Sequence, residues 1–192
     1  MPANRKMDSA CSAVSDASPL PPVICVDLDG TLVATDTLWE SLLGICLRRP
    51  FALIPVLLAI LRGKAHFKST VARHSLLNVD RLPYRPDLLR YLREQKSAGR
   101  RLVLATAAHE SIAKAVAAHL SGLFDEVLAT TEARNLRGRT KAQMLAGKFS
   151  GPGFTYVGNG SEDLDVWRYA TAAIPVGART ADRPRRPAGY PS

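Results

Sequence analysis

The chain has 192 residues, of which 46% are hydrophobic, and it carries a formal net charge of +9. This length and composition allow one domain of ordinary size with a sizeable core. The positive charge favours acidic partners such as phosphate esters or anionic lipid, but aromatic and basic residues are not interleaved as in nucleic-acid-binding modules, so we expect no nucleic-acid partner.

The two ends of the chain differ in composition from the rest. Residues 1–22 are poor in hydrophobic residues and end in Pro-Leu-Pro-Pro, which predicts a disordered leader without the apolar core of a signal peptide. Residues 178–192 are basic and Pro-rich with no apolar face, which predicts a disordered tail. The predicted folded domain is therefore residues 23–177.

Short apolar runs alternate with helical patterns through this domain. Five runs predict strands of a buried sheet, at residues 23–26, 102–105, 126–129, 154–157 and 173–176. Pro175 in the last run suits an edge strand. Helices are predicted at residues 85–98, 111–120, 140–148 and 162–170. This β-α alternation favours an α/β fold with a parallel sheet covered by helices on both faces, where ligands bind at the carboxyl ends of the strands.

Residues 37–84 interrupt the alternation, because they contain no strand candidate. They begin with Thr37-Leu38-Trp39-Glu40, which has the form of a capping box and predicts the start of a helical insert. Residues 51–61 are apolar all round but too short to span a bilayer. The favoured interpretation is a helix of the insert packed on the core; the alternative is an interfacial anchor with basic flanks.

The strongest chemical motif, Asp27-Leu28-Asp29-Gly30-Thr31, follows the first predicted strand. Gly30 allows a sharp turn that could bring both carboxylates to one phosphate. Carboxylates this close resist ionising together, and a divalent cation relieves their repulsion. One acid could then attack phosphorus while the other transfers a proton. The alternative is an ordinary turn after a strand, since Asp and Gly favour turns.

Three further polar positions lie near strand ends or helix starts. The hydroxyl of Thr106, with the backbone N–H groups that follow it at Ala107, could hold a phosphoryl oxygen. Lys141 could offset developing negative charge, and the oxygen-rich loop of residues 158–163 suits Mg²⁺. Each has an ordinary alternative: a helix cap, a solvated helix residue and a flexible turn.

The order of these four motifs on a β-α scaffold resembles the haloacid dehalogenase superfamily over about residues 23–177. The resemblance implies a three-layer, Rossmann-like fold in which the insert of residues 37–84 is a C1-type cap. It implies that Asp27 is the nucleophile that forms an aspartyl-phosphate and that Asp29 is the acid and base. Thr106, Ala107 and Lys141 would bind the phosphoryl group. The implied Mg²⁺ ligands are Asp27, Asp29 through its backbone carbonyl, Asn159 and Asp163.

Asn159 departs from the pattern, because many members of the superfamily have Asp after this glycine. An amide oxygen can ligate Mg²⁺ but lacks a full charge. The strings at residues 35–43, 101–107, 135–138 and 156–167 are similar to the haloacid dehalogenase domain placed before UbiA-family prenyltransferases, where Asn often stands at this position. Because no long apolar segments follow, we expect a stand-alone or truncated version of that arrangement.

These inferences predict a Mg²⁺-dependent phosphatase or phosphotransferase that acts on a small phosphomonoester through Asp27. The alternative is a weakly active or non-catalytic regulatory module associated with a membrane prenyltransferase or a membrane surface. Cys11, Cys25 and Cys46 show neither zinc-site nor disulfide spacing. We therefore expect a cytoplasmic location, either free or peripheral at the inner face of the membrane.

Overall fold

The computed structural model describes residues 21–48, 50–74 and 77–177. Most of the predicted leader and all of the predicted tail lie outside the described residues. Two residues assigned to the leader, Pro21 and Pro22, belong to the described structure. The Arg100 guanidinium donates to the Pro21 carbonyl through Nη2 at 2.6 Å, and the Pro22 carbonyl accepts from the N–H of Arg101 at 2.9 Å. The ordered path therefore starts at least two residues before the first strand.

The domain is built on a parallel sheet of five strands in the order β3-β2-β1-β4-β5. The strands are β1 (Val23–Val26), β2 (Arg101–His109), β3 (Glu126–Thr130), β4 (Thr155–Gly158) and β5 (Ala172–Pro175). All four residues of β1 are buried, as expected of the central strand. The structure confirms the predicted parallel sheet, with Pro175 on an edge strand.

Helices cover both faces of this sheet. They are α4 (Pro86–Ser97), α5 (Glu110–His119), α6 (Gly138–Lys148) and the short α7 (Leu164–Trp167). Alternate β1 residues face opposite sides: Ile24 and Val26 pack in the cluster of α4 and α5, whereas Val23 and Cys25 pack in the cluster of α6 and α7. The predicted three-layer α/β architecture is therefore confirmed.

Two elements differ most in length from their predictions. Strand β2 continues to His109, with an irregular register between Ala105 and His109. The helix predicted at residues 162–170 is reduced to α7, because a 3₁₀ turn at Ser161–Asp163 precedes it and a turn follows it at Arg168. The extension of β2 and the 3₁₀ turn both lie at the carboxyl end of the sheet.

The insert is helical, as predicted. It contains α1 (Thr37–Arg48), a 3₁₀ turn at Pro50–Ala52, α2 (Leu53–Ile60), α3 (Lys64–His74) and a 3₁₀ turn at Val79–Arg81. The segments that enter and leave the insert pair with each other. The N–H of Ala34 donates to the Pro83 carbonyl at 2.9 Å, and the N–H of Arg85 donates to the Leu32 carbonyl at 3.0 Å. This pairing ties the insert to the sheet immediately after the Asp27 motif.

The predicted capping box at Thr37 is wrong. Helix α1 is capped one residue earlier, by Asp36, whose Oδ1 accepts from the N–H of Leu38 at 2.8 Å. The N–H of Thr37 donates instead to Oδ1 of Asp29 at 2.7 Å. The first helix of the insert is therefore bonded directly to the second acid of the motif.

The apolar segment of residues 51–61 packs through one face only. Val56 and Ala59 are the buried residues of α2, and Val56 joins a small cluster with Ile45 and Val71. Most of the other large side chains in the segment are exposed. The favoured interpretation was a helix packed on the core, and only a minority of the side chains in this segment are packed in that way. None of the helices in the described part of the chain combines the length and the apolar character needed to cross a bilayer.

Arg100 joins Pro21, the first described residue, to the sheet. Its guanidinium donates to the Pro21 carbonyl, to Oε1 of Gln95 and to Oγ1 of Thr155. Arg100→Ala would leave these acceptors without their donor, so we expect the free energy of unfolding to fall by about 2 kcal/mol in urea titrations. The matched control is Arg90→Ala, because Arg90 forms only an exposed pair with Asp87 and should change stability little. Equal effects of the two substitutions would contradict this role of Arg100.

Candidate active site

Asp27 stands directly after β1, at the carboxyl end of the central strand. Its backbone N–H donates to the Val157 carbonyl of β4 at 3.0 Å, which continues the sheet pairing through this residue. Its carboxylate is buried, and Oδ1 accepts from Nζ of Lys141 at 2.8 Å. Burial raises the pKa of Asp27 to about 7; Lys141 opposes this shift, and the nearby carboxylate of Asp163 adds to it.

Lys141 reaches Asp27 from α6 and is itself buried. It also donates to the Tyr156 hydroxyl at 2.9 Å, and that hydroxyl donates to Oδ1 of Asp163 at 2.8 Å. Burial lowers the pKa of Lys141, but the carboxylates of Asp27 and Asp163 outweigh it, so the pKa is raised overall. The ammonium group therefore stays charged inside the protein, where it donates two hydrogen bonds and lies 3.7 Å from Oδ1 of Asp163.

Tyr156 is a site residue that the sequence interpretation missed. It lies within β4 and its ring is part of the core cluster on the α6 side. A tyrosine in an apolar strand is normally a packing residue, so its position gives no signal of a polar role. Only the docking of α6 on the sheet shows that its hydroxyl lies between Lys141 and Asp163.

Asp29 lines the same cavity and contacts the insert at Thr37. Its Oδ1 accepts the hydrogen bond from the N–H of Thr37. Burial raises the pKa of Asp29, although the hydrogen bond from Thr37 partly opposes the shift. Oδ2 is thus the oxygen that could exchange a proton with a molecule in the cavity.

Thr106 and Ala107 occupy the carboxyl end of β2, beside β1. Thr106 is fully buried, and its Oγ1 accepts from the N–H of Ala108 at 2.9 Å. The residues of this turn that line the cavity are Ala107, Ala108 and His109. Thr106 therefore supports the turn from behind without lining the cavity, and Ala107 forms part of the cavity wall.

Two glycines permit the close packing of the fourth motif. Gly30 lies in the left-handed region (φ 70°), and a Cβ there would come within 1.9 Å of Nδ2 of Asn159. Gly158 is similarly constrained, because a Cβ would come within 2.4 Å of Oδ2 of Asp163 and 2.8 Å of the Tyr156 ring. Asn159 is thus held against the first motif, and its N–H donates to Oδ2 of Asp163 at 2.9 Å.

A lysine of the insert also reaches the site. Nζ of Lys68, on α3, donates to the Ala107 carbonyl at 2.6 Å and to Oδ1 of Asn135 at 3.2 Å. Thr130 Oγ1 donates to the same Ala107 carbonyl at 2.8 Å. Lys68 is not among the site residues predicted from the sequence. The structure shows that it joins the insert to the cavity wall at Ala107.

These residues enclose a cavity of about 450 Å³, within the usual range for small-molecule sites. Its lining includes the carboxylates of Asp27, Asp29 and Asp163, the ammonium groups of Lys68 and Lys141, and the guanidinium of Arg137, which pairs with Glu162. Within the described residues, the buried hydroxyl of Thr35, which lines the cavity, has no hydrogen-bond partner. It is available to a polar ligand.

The donor set suits a divalent cation. Three carboxylates, of Asp27, Asp29 and Asp163, act on the single ammonium group of Lys141 and raise its pKa. With Asp36 and Glu162, five carboxylates line the cavity against three cationic side chains, and a bound cation would balance that excess of negative charge. Across residues 21–48, 50–74 and 77–177, no three His, Cys, Asp or Glu side chains form a metal site by themselves. The amide oxygen of Asn159 and backbone carbonyls would therefore be needed to complete the ligand set.

Gly158 offers a test of how tightly this loop is packed. We expect Gly158→Ala to push Asp163 and Tyr156 apart and to lower the free energy of unfolding by about 1–3 kcal/mol, as overpacking does. The control is Gly160→Ala in the same loop, where a Cβ would meet nothing within 4 Å. Thermal unfolding of both variants measures the difference. If Gly158→Ala were as stable as Gly160→Ala, the close packing of Asp163 would be refuted.

Comparison with known proteins agrees with the geometry. The sequence profile of the haloacid dehalogenase-like hydrolase family matches residues 24–168. The uncharacterized protein y4nM of Sinorhizobium fredii is 37% identical over 156 residues, which are 81% of this chain and 30% of that protein. The chain thus spans less than a third of that relative's length.

Solved structures show the same fold at low identity. A haloacid dehalogenase family hydrolase, t0658 of Salmonella enterica serovar Typhi, superposes with a TM-score of 0.61 at 18% identity, over 86% of this chain and 66% of that one. A phospho-aspartyl intermediate analogue of phosphoserine phosphatase superposes with a TM-score of 0.59 at 16% identity, over 84% and 89%. The family match confirms the predicted enzyme class: the chain belongs to the haloacid dehalogenase-like hydrolase family.

Proposed function

We propose that this protein is a Mg²⁺-dependent phosphatase that hydrolyses a small phosphomonoester through an aspartyl-phosphate on Asp27. The observation that carries the proposal is the buried Asp27 carboxylate at the end of β1, held through Oδ1 by Lys141 at 2.8 Å. Asp29 lines the same cavity two residues later. A nucleophilic carboxylate and a separate proton-transfer carboxylate are the two groups that such a reaction needs.

The reaction takes place in two displacements. In the first, an oxygen of Asp27 attacks phosphorus, and the bond to the substrate's alcohol oxygen breaks as that oxygen takes a proton from Asp29. In the second, Asp29 removes a proton from water, which attacks the same phosphorus; inorganic phosphate leaves and the Asp27 carboxylate is regenerated. Lys141 stabilises the negative charge on the phosphoryl oxygens in both steps.

Mg²⁺ would be held by Asp27, the Asp29 backbone carbonyl, Asn159 and Asp163, and would supply positive charge next to the phosphoryl oxygens. Both oxygens of Asp163 already accept hydrogen bonds, from Tyr156 and from the Asn159 N–H. Its contribution is therefore to fix Tyr156 and the loop as well as to provide charge. Asn159, pressed against Gly30, has its side chain beside the first motif.

The phosphate side of the substrate fits the wall formed at Ala107, with Thr106 behind it and Lys141 opposite. The solved phospho-aspartyl analogue of phosphoserine phosphatase, which shares this fold, supports an aspartyl intermediate here. Transfer to an acceptor other than water uses the same intermediate. Added alcohols that capture the phosphoryl group in competition with water would identify a phosphotransferase.

A second candidate function is a regulatory module with little catalysis, associated with a membrane prenyltransferase of the UbiA family. Asn159 favours it, because an amide contributes less charge to metal binding than a carboxylate. The greater length of the relative y4nM is compatible with a domain that works within a larger protein. The complete set of Asp27, Asp29 and Lys141 favours the phosphatase.

Asp27→Asn tests the nucleophile. We expect Mg²⁺-dependent turnover of a panel of phosphomonoesters to fall by about 10³-fold or more, because an amide cannot form the covalent intermediate. Folding should be retained, because Asn keeps the shape of Asp and Asp163, 3.7 Å from Nζ of Lys141, still balances the buried ammonium group. The control is Asp165→Asn, in the exposed pair with Arg168 outside the cavity. Activity that survives in Asp27→Asn would rule out the mechanism, and an inactive wild type would favour the regulatory module.

Asn159→Asp tests the metal ligand. An added carboxylate should lower the Mg²⁺ concentration for half-maximal activity by roughly tenfold, because charge count sets the affinity of oxygen-ligand sites. The Mg²⁺-induced rise in melting temperature gives an independent reading without turnover. Asn78→Asp, an exposed Asn that caps a 3₁₀ turn, is the control. An unchanged Mg²⁺ requirement in Asn159→Asp would show that residue 159 is not a ligand.

A further inference from the structure

The insert carries a large apolar surface that the rest of the described chain does not cover. Its side chains belong to α1, α2 and the residues beside them, and we call them the apolar cap surface: Trp39, Leu43, Leu47, Phe51, Ile54, Leu57, Leu58, Ile60 and Leu61. Phe51 is 86% exposed, Leu61 85% and Trp39 70%. Single exposed apolar residues are ordinary, but nine large apolar side chains exposed within residues 39–61 mark a site of interaction.

Both helices are apolar on two faces. On α1 the inner face supplies Leu42 and Ile45 to the small cluster of the insert, whereas Trp39, Leu43 and Leu47 recur every four residues on the exposed face. A helix of a soluble domain normally turns a polar face to water. Here the exposed face is also apolar, so stability of the insert does not account for it.

Helix α2 shows the same arrangement. Val56 and Ala59 are its buried residues, and Ile54, Leu57 and Leu58 are exposed, with Leu61 following on the same side at helical spacing. The eight residues of α2 extend only about 12 Å, far less than the thickness of a bilayer. Such a helix can lie at an interface but cannot cross it.

The segment that carries most of this surface is basic in sequence, whereas Glu40 on α1 lies beside Leu43 and Leu47. Residues 41–79 contain no Asp or Glu, but they contain six basic residues: Arg48, Arg49, Arg62, Lys64, Lys68 and Arg73. Lys68 is directed into the active site, and Arg62 is exposed at the end of α2. A second copy of the chain docked by the same surface would bring like charges together. An anionic bilayer complements both features, because its headgroups attract basic side chains and its acyl region accepts apolar ones.

We propose that the apolar cap surface binds the interface of an anionic lipid bilayer, with α1 and α2 lying in the membrane plane. The aromatic rings of Trp39 and Phe51 enter the headgroup region together with the leucines of α2. The active-site cavity opens at the start of the same helix, because Leu38 lines the cavity and Trp39 follows it on the exposed face. This inference does not depend on the proposed phosphatase activity.

The test is flotation of the full chain with liposomes of phosphatidylcholine and phosphatidylglycerol, compared with liposomes of phosphatidylcholine alone. The chain should float with the anionic vesicles, and binding should weaken as salt is raised. Phe51→Ser/Leu57→Ser/Leu61→Ser should abolish binding. Arg62→Ala should weaken it about fivefold, the effect of about one charge at such a surface.

Matched controls separate surface chemistry from folding. Leu164→Ser/Tyr169→Ser replaces exposed apolar side chains on the sheet domain, where Tyr169 is 56% exposed, and should leave flotation unchanged. Thermal unfolding shows whether the triple variant is folded; if it is not, Leu61→Ser alone, beyond the end of α2, provides the test.

Three results would overturn the proposal. The first is no binding of the wild type to anionic vesicles, and the second is equal binding by the folded surface variants. The third is that the wild type self-associates and does not bind vesicles, and that these variants abolish the self-association. That result would identify a second copy of the chain as the partner of the apolar cap surface.

Discussion

The candidate site depends on the buried ion pair between Asp27 and Lys141. Removing two charges from water is costly, and the pair persists only if its remaining hydrogen-bonding groups are satisfied. The Tyr156 hydroxyl and the Asp163 carboxylate meet that need, since Lys141 donates to Tyr156 and Tyr156 donates to Asp163. The pair joins the central strand to α6, which links the position of the helix to the geometry of the reacting carboxylate. Fold and site are therefore stabilised by the same contacts.

The Asp27 motif is also the point at which the insert is fixed. Asp29 accepts the N–H of Thr37, so the first helix of the insert starts at a fixed position relative to the second acid. From the far side of the insert, Lys68 binds the carbonyl of Ala107, at the carboxyl end of the neighbouring strand. Movement of the insert would thus change the cavity at two walls at once. That coupling gives the insert a direct means of controlling which molecules reach Asp27.

The insert and the sheet domain differ in how they use apolar residues. The sheet has two large hydrophobic clusters, one on each face, and together they include all four residues of β1. The insert has a small cluster around Ile45, Val56 and Val71, and many of its other large apolar side chains are exposed. A domain that needed only to fold would not retain that surface, because exposed apolar area promotes aggregation. A membrane interface would cover it and would match the basic residues beside it.

The sequence by itself determined the parallel sheet, the helical insert and the main acids, because continuous apolar runs, glycine turns and Asp-x-Asp spacing are local patterns. Asp27 and Lys141 were predicted from such patterns, although they lie 114 residues apart. The sequence did not predict the roles of Tyr156, Lys68 and Asp36. A tyrosine in a strand, a lysine in a helix and an acid before a threonine each have ordinary roles. Only the tertiary structure decided their roles in the site, because the docking of α6 and α3 on the strand ends sets which polar atoms meet. It also decided which face of α2 is buried, because a helix that is apolar all round has no preferred side until its neighbours are in place.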